Sequence, residues 1–187
     1  MRRVLLLTAL LSLSACARDP AVVPDDIVRS NKWQIEQQTD RITGAPLESA
    51  LLTTRSSHAS ELFSKSAVLQ LACLNKRPVV RFAFEVKVAT TNSHEFGYRF
   101  DDRPGHQITA SILGNNTVAV IEDGAAVAEF LGEMATAKTL YVRIRSLSFG
   151  RTAAEFNVEG APAAMAATTA HCPPIIEGPK PKRKFRR

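Results

Sequence analysis

Between Ala67 and Val88 hydrophobic and polar positions alternate with a period of two. Ala67, Leu69, Leu71 and Cys73 share one face, Asn75-Lys76-Arg77-Pro78 breaks the run, and Val80, Phe82, Phe84, Val86 and Val88 resume it. Arg81, Glu85 and Lys87 fall between them. In a strand successive side chains point to opposite faces, so this segment predicts an antiparallel hairpin with one buried and one wet face. Cys73 stands on the buried one.

The same period recurs along the chain. Trp33-Gln34-Ile35-Glu36 predicts a short strand, Asp40 to Gly44 a turn, and Leu47 to Ser56 the returning strand. Tyr98 to Asp101 reads as another strand; Ile108, Ala110 and Ile112 alternate into Gly114-Asn115-Asn116, residue types that tolerate positive φ, and Val118 and Val120 return. Leu140, Val142 and Ile144 alternate with Tyr141, Arg143 and Arg145, and Ala154, Phe156 and Val158 with Glu155, Asn157 and Glu159, joined through Phe149-Gly150.

A helical period replaces the strand period only once with force. Asp123 is a good N-cap, and Val127, Phe130, Leu131, Met134 and Lys138 follow at i, i+3, i+4, i+7 and i+11. An Ala-rich stretch from Ala161 to Ala170 predicts a second, short helix stopped by Pro173-Pro174. The class is therefore mainly β (α+β): an antiparallel β-sheet or sandwich with one packed amphipathic helix and a short C-terminal helix. With 187 residues the chain supports one core.

The first residues have a different logic. Arg2 and Arg3 precede a ten-residue apolar run, Val4 to Leu13, too short to span a bilayer and suited to a signal peptide. It runs into Leu13-Ser14-Ala15-Cys16, which resembles the lipobox of bacterial lipoproteins. That resemblance implies lipidation of Cys16, and Ala17 rather than aspartate after it implies the outer membrane. Ordinary cleavage after Ala17, leaving a soluble periplasmic protein, is the other reading of the same residues. The segments expected are residues 1–15 as signal peptide, 16–30 as a Pro-containing linker, 31–174 as a single β-rich domain and 175–187 as a basic tail without a fold of its own.

Charge follows that division. Six of the 24 basic residues, Lys180, Lys182, Arg183, Lys184, Arg186 and Arg187, lie in the tail and two in the signal. The remaining 16 face 18 acids, so the net charge of +6 belongs to the ends and is no nucleic-acid footprint. The tail either is a solvated end or contacts anionic lipid or cell wall, where each cation contributes about 1 kcal/mol near an anionic surface.

Setting Cys16 aside leaves Cys73 and Cys172, an even pair in an oxidising compartment, which predicts a disulfide; two buried thiols are the alternative. The order of landmarks, Trp33, Asp40 with Thr43-Gly44, Cys73 closing a strand, Tyr98-Arg99-Phe100-Asp101, a helix ending near Ala137-Lys138, Ala154-Glu155-Phe156, Gly160 and Cys172, resembles small exported bacterial domains found among type VI secretion accessory proteins. The resemblance covers about Trp33 to Cys172. It implies a noncatalytic envelope accessory with a Cys73–Cys172 disulfide.

Candidate chemistry is sparse. The most polar cluster, Arg99 to His106 with His94-Glu95 before it, would make Asp101, Asp102 and His106 a metal or acid–base site, or else a strand-end ion pair of Arg99 with Asp101 and a solvated turn; the second is the expectation. No Gly-x-Ser-x-Gly elbow, His-Glu-x-x-His or phosphate loop occurs, and His58, His94, His106 and His171 lack zinc-ligand spacing. Trp33 and Tyr98 are expected in the core rather than at a ligand. No catalytic residue, cofactor or metal ligand is assigned. The expected function is a noncatalytic, lipid-anchored binding or accessory module on the periplasmic side of the envelope, contacting an envelope protein or the cell wall; an inhibitor or immunity-like lipoprotein is the alternative.

Overall fold

The structure is a computed structural model that describes residues 26–30, 33–39, 41–58, 65–170 and 172. Its strands are β1 (Asp26–Ser30), β2 (Trp33–Thr39), β3 (Pro46–His58), β4 (Lys65–Leu74), β5 (Arg77–Phe84), β6 (Ser93–Phe100), β7 (His106–Leu113), β8 (Val118–Ile121), β9 (Thr139–Ser146) and β10 (Gly150–Asn157). The helices are α1 (Gly124–Met134) and α2 (Ala161–Thr169). Cys16, the signal segment, Pro173-Pro174 and the tail cations Lys180 to Arg187 lie outside the described residues.

All pairings are antiparallel, in the order β1-β2-β3-β10-β9-β6-β7-β8-β5-β4. Because β4 also pairs with β3, eight strands from β3 round to β4 close into a barrel, and β2 with β1 extends from it as a spur. This corrects the expected sheet or sandwich: the mainly β class holds, but the layers are one sheet closed on itself. The thirteen residues of β3 make the closure, its first half pairing with β2, its last residues with β10, and its middle with β4 along the other edge. Alternation shows that one face of each strand is buried; it is silent on whether that face meets a second sheet or the far wall of its own.

An eight-stranded barrel is just wide enough for side chains to fill. Here Phe82, Phe96, Phe100 and Phe156 lie inside, with Leu69, Leu140, Ile144 and Val80, all fully buried, and Trp33 of β2 is buried in the same core. Phe82 meets Phe96 at 4.8 Å and Phe130 of α1 at 6.0 Å between ring centroids. The barrel centre is thus a packed core. Asp26–Ser30, inside the stretch expected to be linker, instead pairs along its length with β2 and covers the edge that β3 leaves.

Register places both helices at one end of the barrel. The end of β8, the start of β9 and the end of β10 meet there, with the end of β6 and the start of β7 beside them. Asp123 caps α1 by accepting the Ala126 N–H at 3.0 Å, and Val127, Phe130 and Met134 are buried against the barrel. The helix stops at Met134, so Lys138, expected on its apolar face, instead leads into β9. α2 follows Gly160, whose φ of 85° suits glycine, and packs through Ala161, Ala164 and Thr168. Cys172, just after α2, lies at disulfide distance from Cys73, with 5.8 Å between Cα atoms, and pins the helix to the β4–β5 hairpin. No helix among the described residues is long and apolar enough to cross a membrane.

Candidate functional site

The polar cluster that stands out in sequence is mostly a clasp for α1. Asp101 leaves β6 with a positive φ of 47°, which swings its carboxylate off the strand face it would have shared with Arg99. It accepts the backbone N–H groups of Thr139 at 2.8 Å and Lys138 at 3.0 Å, and the Thr139 hydroxyl at 3.2 Å. Its neighbouring guanidinium is Arg103, at 3.9 Å, which corrects the expected Arg99 pair. Chiefly the Thr139 N–H, helped by that of Lys138, holds the Asp101 carboxyl below its ordinary range. Arg103 meanwhile donates to the Glu133 carbonyl at 3.1 Å and to Thr136 Oγ1 at 2.8 Å, satisfying the C-terminal end of α1.

His106 takes other partners. Its ring stacks on Tyr98, centroids 4.7 Å apart and 12° from parallel, and its edges face α1. Nε2 lies 2.7 Å from Glu133 Oε1 and Nδ1 3.7 Å from Glu129 Oε1. Asp101 and His106 therefore do not form one site, and Asp102 is exposed. Sequence reading missed Glu129 and Glu133, although their spacing was a usable signal: like charges four apart on a helix repel mildly and call for a cation.

Trp33 and Tyr98 are core residues, as expected. His58 is buried against the Thr152 hydroxyl at 2.6 Å, and His94 contacts the Arg145 carbonyl through Nε2. His171 lies outside the described residues.

The cleft best suited to a ligand is on the outer wall of the barrel, where β7, β6 and β9 run side by side. It has a volume of about 480 Å³ and is lined by Arg99, Gln107, Tyr141 and Arg143 over a floor at Gly97, with Tyr98, Gly105 and His106 at its margin. The floor follows from register: Gly97 stands opposite Arg143 on one side and Gln107 on the other, and Arg99 opposite Tyr141. With no side chain at Gly97, Arg143 lies over the backbone, and a Cβ there would meet its Nη2 at 3.5 Å. Among the described residues no carboxylate comes within ion-pair distance of Arg99 or Arg143. The positive strip continues along the wall, for Arg145 stands directly across from Arg151, a like-charge pair that costs stability. A second cleft of about 460 Å³, past Arg99 and Tyr141, is of mixed charge, with Asp101, Asp102, Lys138 and Glu155. This groove went unremarked in sequence because outward Tyr141, Arg143 and Arg145 look like any wet strand face until β6 supplies a glycine beside them.

Set beside known protein families, curated proteins and solved structures, the chain matches none.

Proposed function

We propose that the protein is a noncatalytic binding module of the bacterial envelope, anchored by lipid on Cys16 at the periplasmic side of the outer membrane, and that it grips an anionic group of another envelope component in the Arg99–Tyr141–Arg143 groove. The observation that carries this reading is the pair of guanidinium groups beside a strand glycine that have no carboxylate partner among the described residues. Planar guanidinium forks match carboxylates and phosphates two bonds at a time, and Tyr adds amphipathic contact area at low entropic cost. The barrel interior is filled with aromatic side chains, so a ligand is better served on the outer wall. An accessory role is in keeping with the resemblance to type VI secretion accessory proteins.

The alternative, an inhibitor or immunity-like lipoprotein, draws support from Leu147. This side chain is fully exposed in the turn joining β9 to β10, at the barrel end away from the helices, as a plug for a partner's cleft would be.

One experiment separates the two. A photo-crosslinking amino acid is placed at Tyr141 or at Leu147 in the full-length protein in intact cells. The groove reading expects a defined adduct from position 141 that disappears in the Gly97→Leu background, where the new side chain displaces Arg143, and in the Arg99→Ala/Arg143→Ala background. An adduct from position 147 alone supports the inhibitor reading, and none from either sinks both. Labelled palmitate tests the anchor: no incorporation transfers the case to cleavage after Ala17.

A further inference from the structure

His106, which borders the groove, converges with Glu129 and Glu133 from a second element. His106 opens β7, while Glu129 and Glu133 lie one helical turn apart on α1 and so share a face. One ligand atom from each lies within 4.8 Å of the others. The side chains are 24%, 56% and 23% exposed respectively, so the cluster is reachable from solution yet partly walled.

A second observation points to an occupant. The Tyr98 ring lies against His106, is only 2% exposed, and its hydroxyl has no hydrogen-bond partner among the described residues; Glu133 Oε2 is buried without one there as well. Buried polar atoms without partners are uncommon and costly, and cluster where a ligand supplies the missing contact.

We propose that His106, Glu129 and Glu133 bind a first-row divalent transition metal ion. An imidazole nitrogen with two carboxylate oxygens is a mixed donor set that suits zinc and its neighbours better than calcium or magnesium, which take oxygen. Two carboxylates and a neutral imidazole balance the charge of such an ion. Three protein ligands with solvent in the remaining position match an open rather than a closed zinc site. The metal would tie α1 to the mouth of the barrel, next to the Asp101 and Arg103 clasp. The competing occupant is a proton: imidazolium between two carboxylates would use the same geometry as a plain helix clasp.

The test uses the full-length chain, stripped with a chelator, returned to chelator-free buffer and titrated with zinc chloride against a chromophoric zinc indicator, with thermal melts recorded with and without zinc. One zinc per chain and a higher melting temperature with zinc are expected. His106→Ala and Glu129→Ala should each weaken binding at least tenfold and remove the thermal shift, whereas His94→Ala should leave both unchanged. Should His106→Ala not fold, Glu129→Ala decides, because Glu129 is more than half exposed and alanine favours helix. Absence of stoichiometric zinc binding, or a loss smaller than tenfold in Glu129→Ala, overturns the proposal in favour of the proton clasp.

Discussion

The carboxylate of Asp101 lies 2.8 Å from the backbone nitrogen of Thr139, so the residue just after β6 also fixes where β9 begins. Three bonds to one oxygen, two of them from main-chain N–H groups, make this the hinge pin between barrel and helix. Since these bonds favour the charged carboxylate, its folded pKa is depressed below the unfolded value of about 3.9. The stabilisation is therefore present above about pH 4 and is lost as pH falls through the depressed value. Asp101→Asn, which keeps the positive-φ tolerance and one acceptor, should lower the urea midpoint at pH 7 and flatten its fall below about pH 4. A variant with the wild-type acid profile would show that Asp101 is not the titrating anchor.

Tyr98 has the opposite sign. Burial first, and Glu129 and Glu133 after it, raise its pKa to about 12, so the folded state resists an ionisation that the unfolded chain accepts near pH 10. Its contribution is complete below about pH 10 and drains away as pH climbs toward the folded value. Tyr98→Phe removes a hydroxyl without a partner, and should leave stability at pH 7 unchanged or slightly higher while reducing the loss above about pH 10. Denaturant midpoints measured against pH decide it; a clear loss at pH 7 would mean the hydroxyl is satisfied in solution.

The β4–β5 turn is strained at one position. Asn75 and Lys76 both have positive φ, 51° and 60°, the conformation of a two-residue type I′ turn, and Lys is poorly suited to it. Lys76→Gly should stabilise by about 0.5–1 kcal/mol, less whatever the freer unfolded chain takes back. Urea unfolding at constant m-value is the measurement, and a destabilised variant would refute the turn assignment.

Cys73 and Cys172 are 99 residues apart and hold α2, a helix whose buried contacts are alanines and one threonine. Cross-linking over that separation is worth about 4.7 kcal/mol in the chain-entropy model, though measured bridges more often give about 2–4 kcal/mol. Cys172→Ser should lower the melting temperature by several degrees and expose α2 to protease before the barrel. Simultaneous cleavage of helix and barrel would instead place α2 in the cooperative core.

Much of the local structure could be read in advance because its causes are local. The alternation from Ala67 to Phe84 becomes β4 and β5, though Val86 and Val88, expected to continue it, lie beyond the end of β5, and Asp123 with Val127, Phe130 and Met134 becomes the cap and buried face of α1. Composition marks Cys73 and Cys172 as an even pair, and the structure brings them together. The polar run at Asp101 to His106 was visible too, but in place of an Arg99–Asp101 pair and a solvated turn, Asp101 and Arg103 bond to backbone and side chains thirty or more residues away.

Those partners, and closure itself, were decided only in three dimensions. Alternation says which face of a strand avoids water, which depends on neighbours two residues off; it cannot say which strand completes the ring, because that depends on β3 being shared among β2, β10 and β4. Likewise Arg99, Tyr141 and Arg143 become a groove only when register sets Gly97 between them, and His106 meets Glu129 and Glu133 only when α1 closes the barrel end. Sequence by itself determined most of the elements and their buried faces, since these follow from backbone geometry and the hydrophobic effect over a few residues, though not β1 or where α1 and β5 end. Tertiary structure alone decided the barrel and the sites on it, since both are made by side chains and edges whose separation along the chain carries no short-range signal.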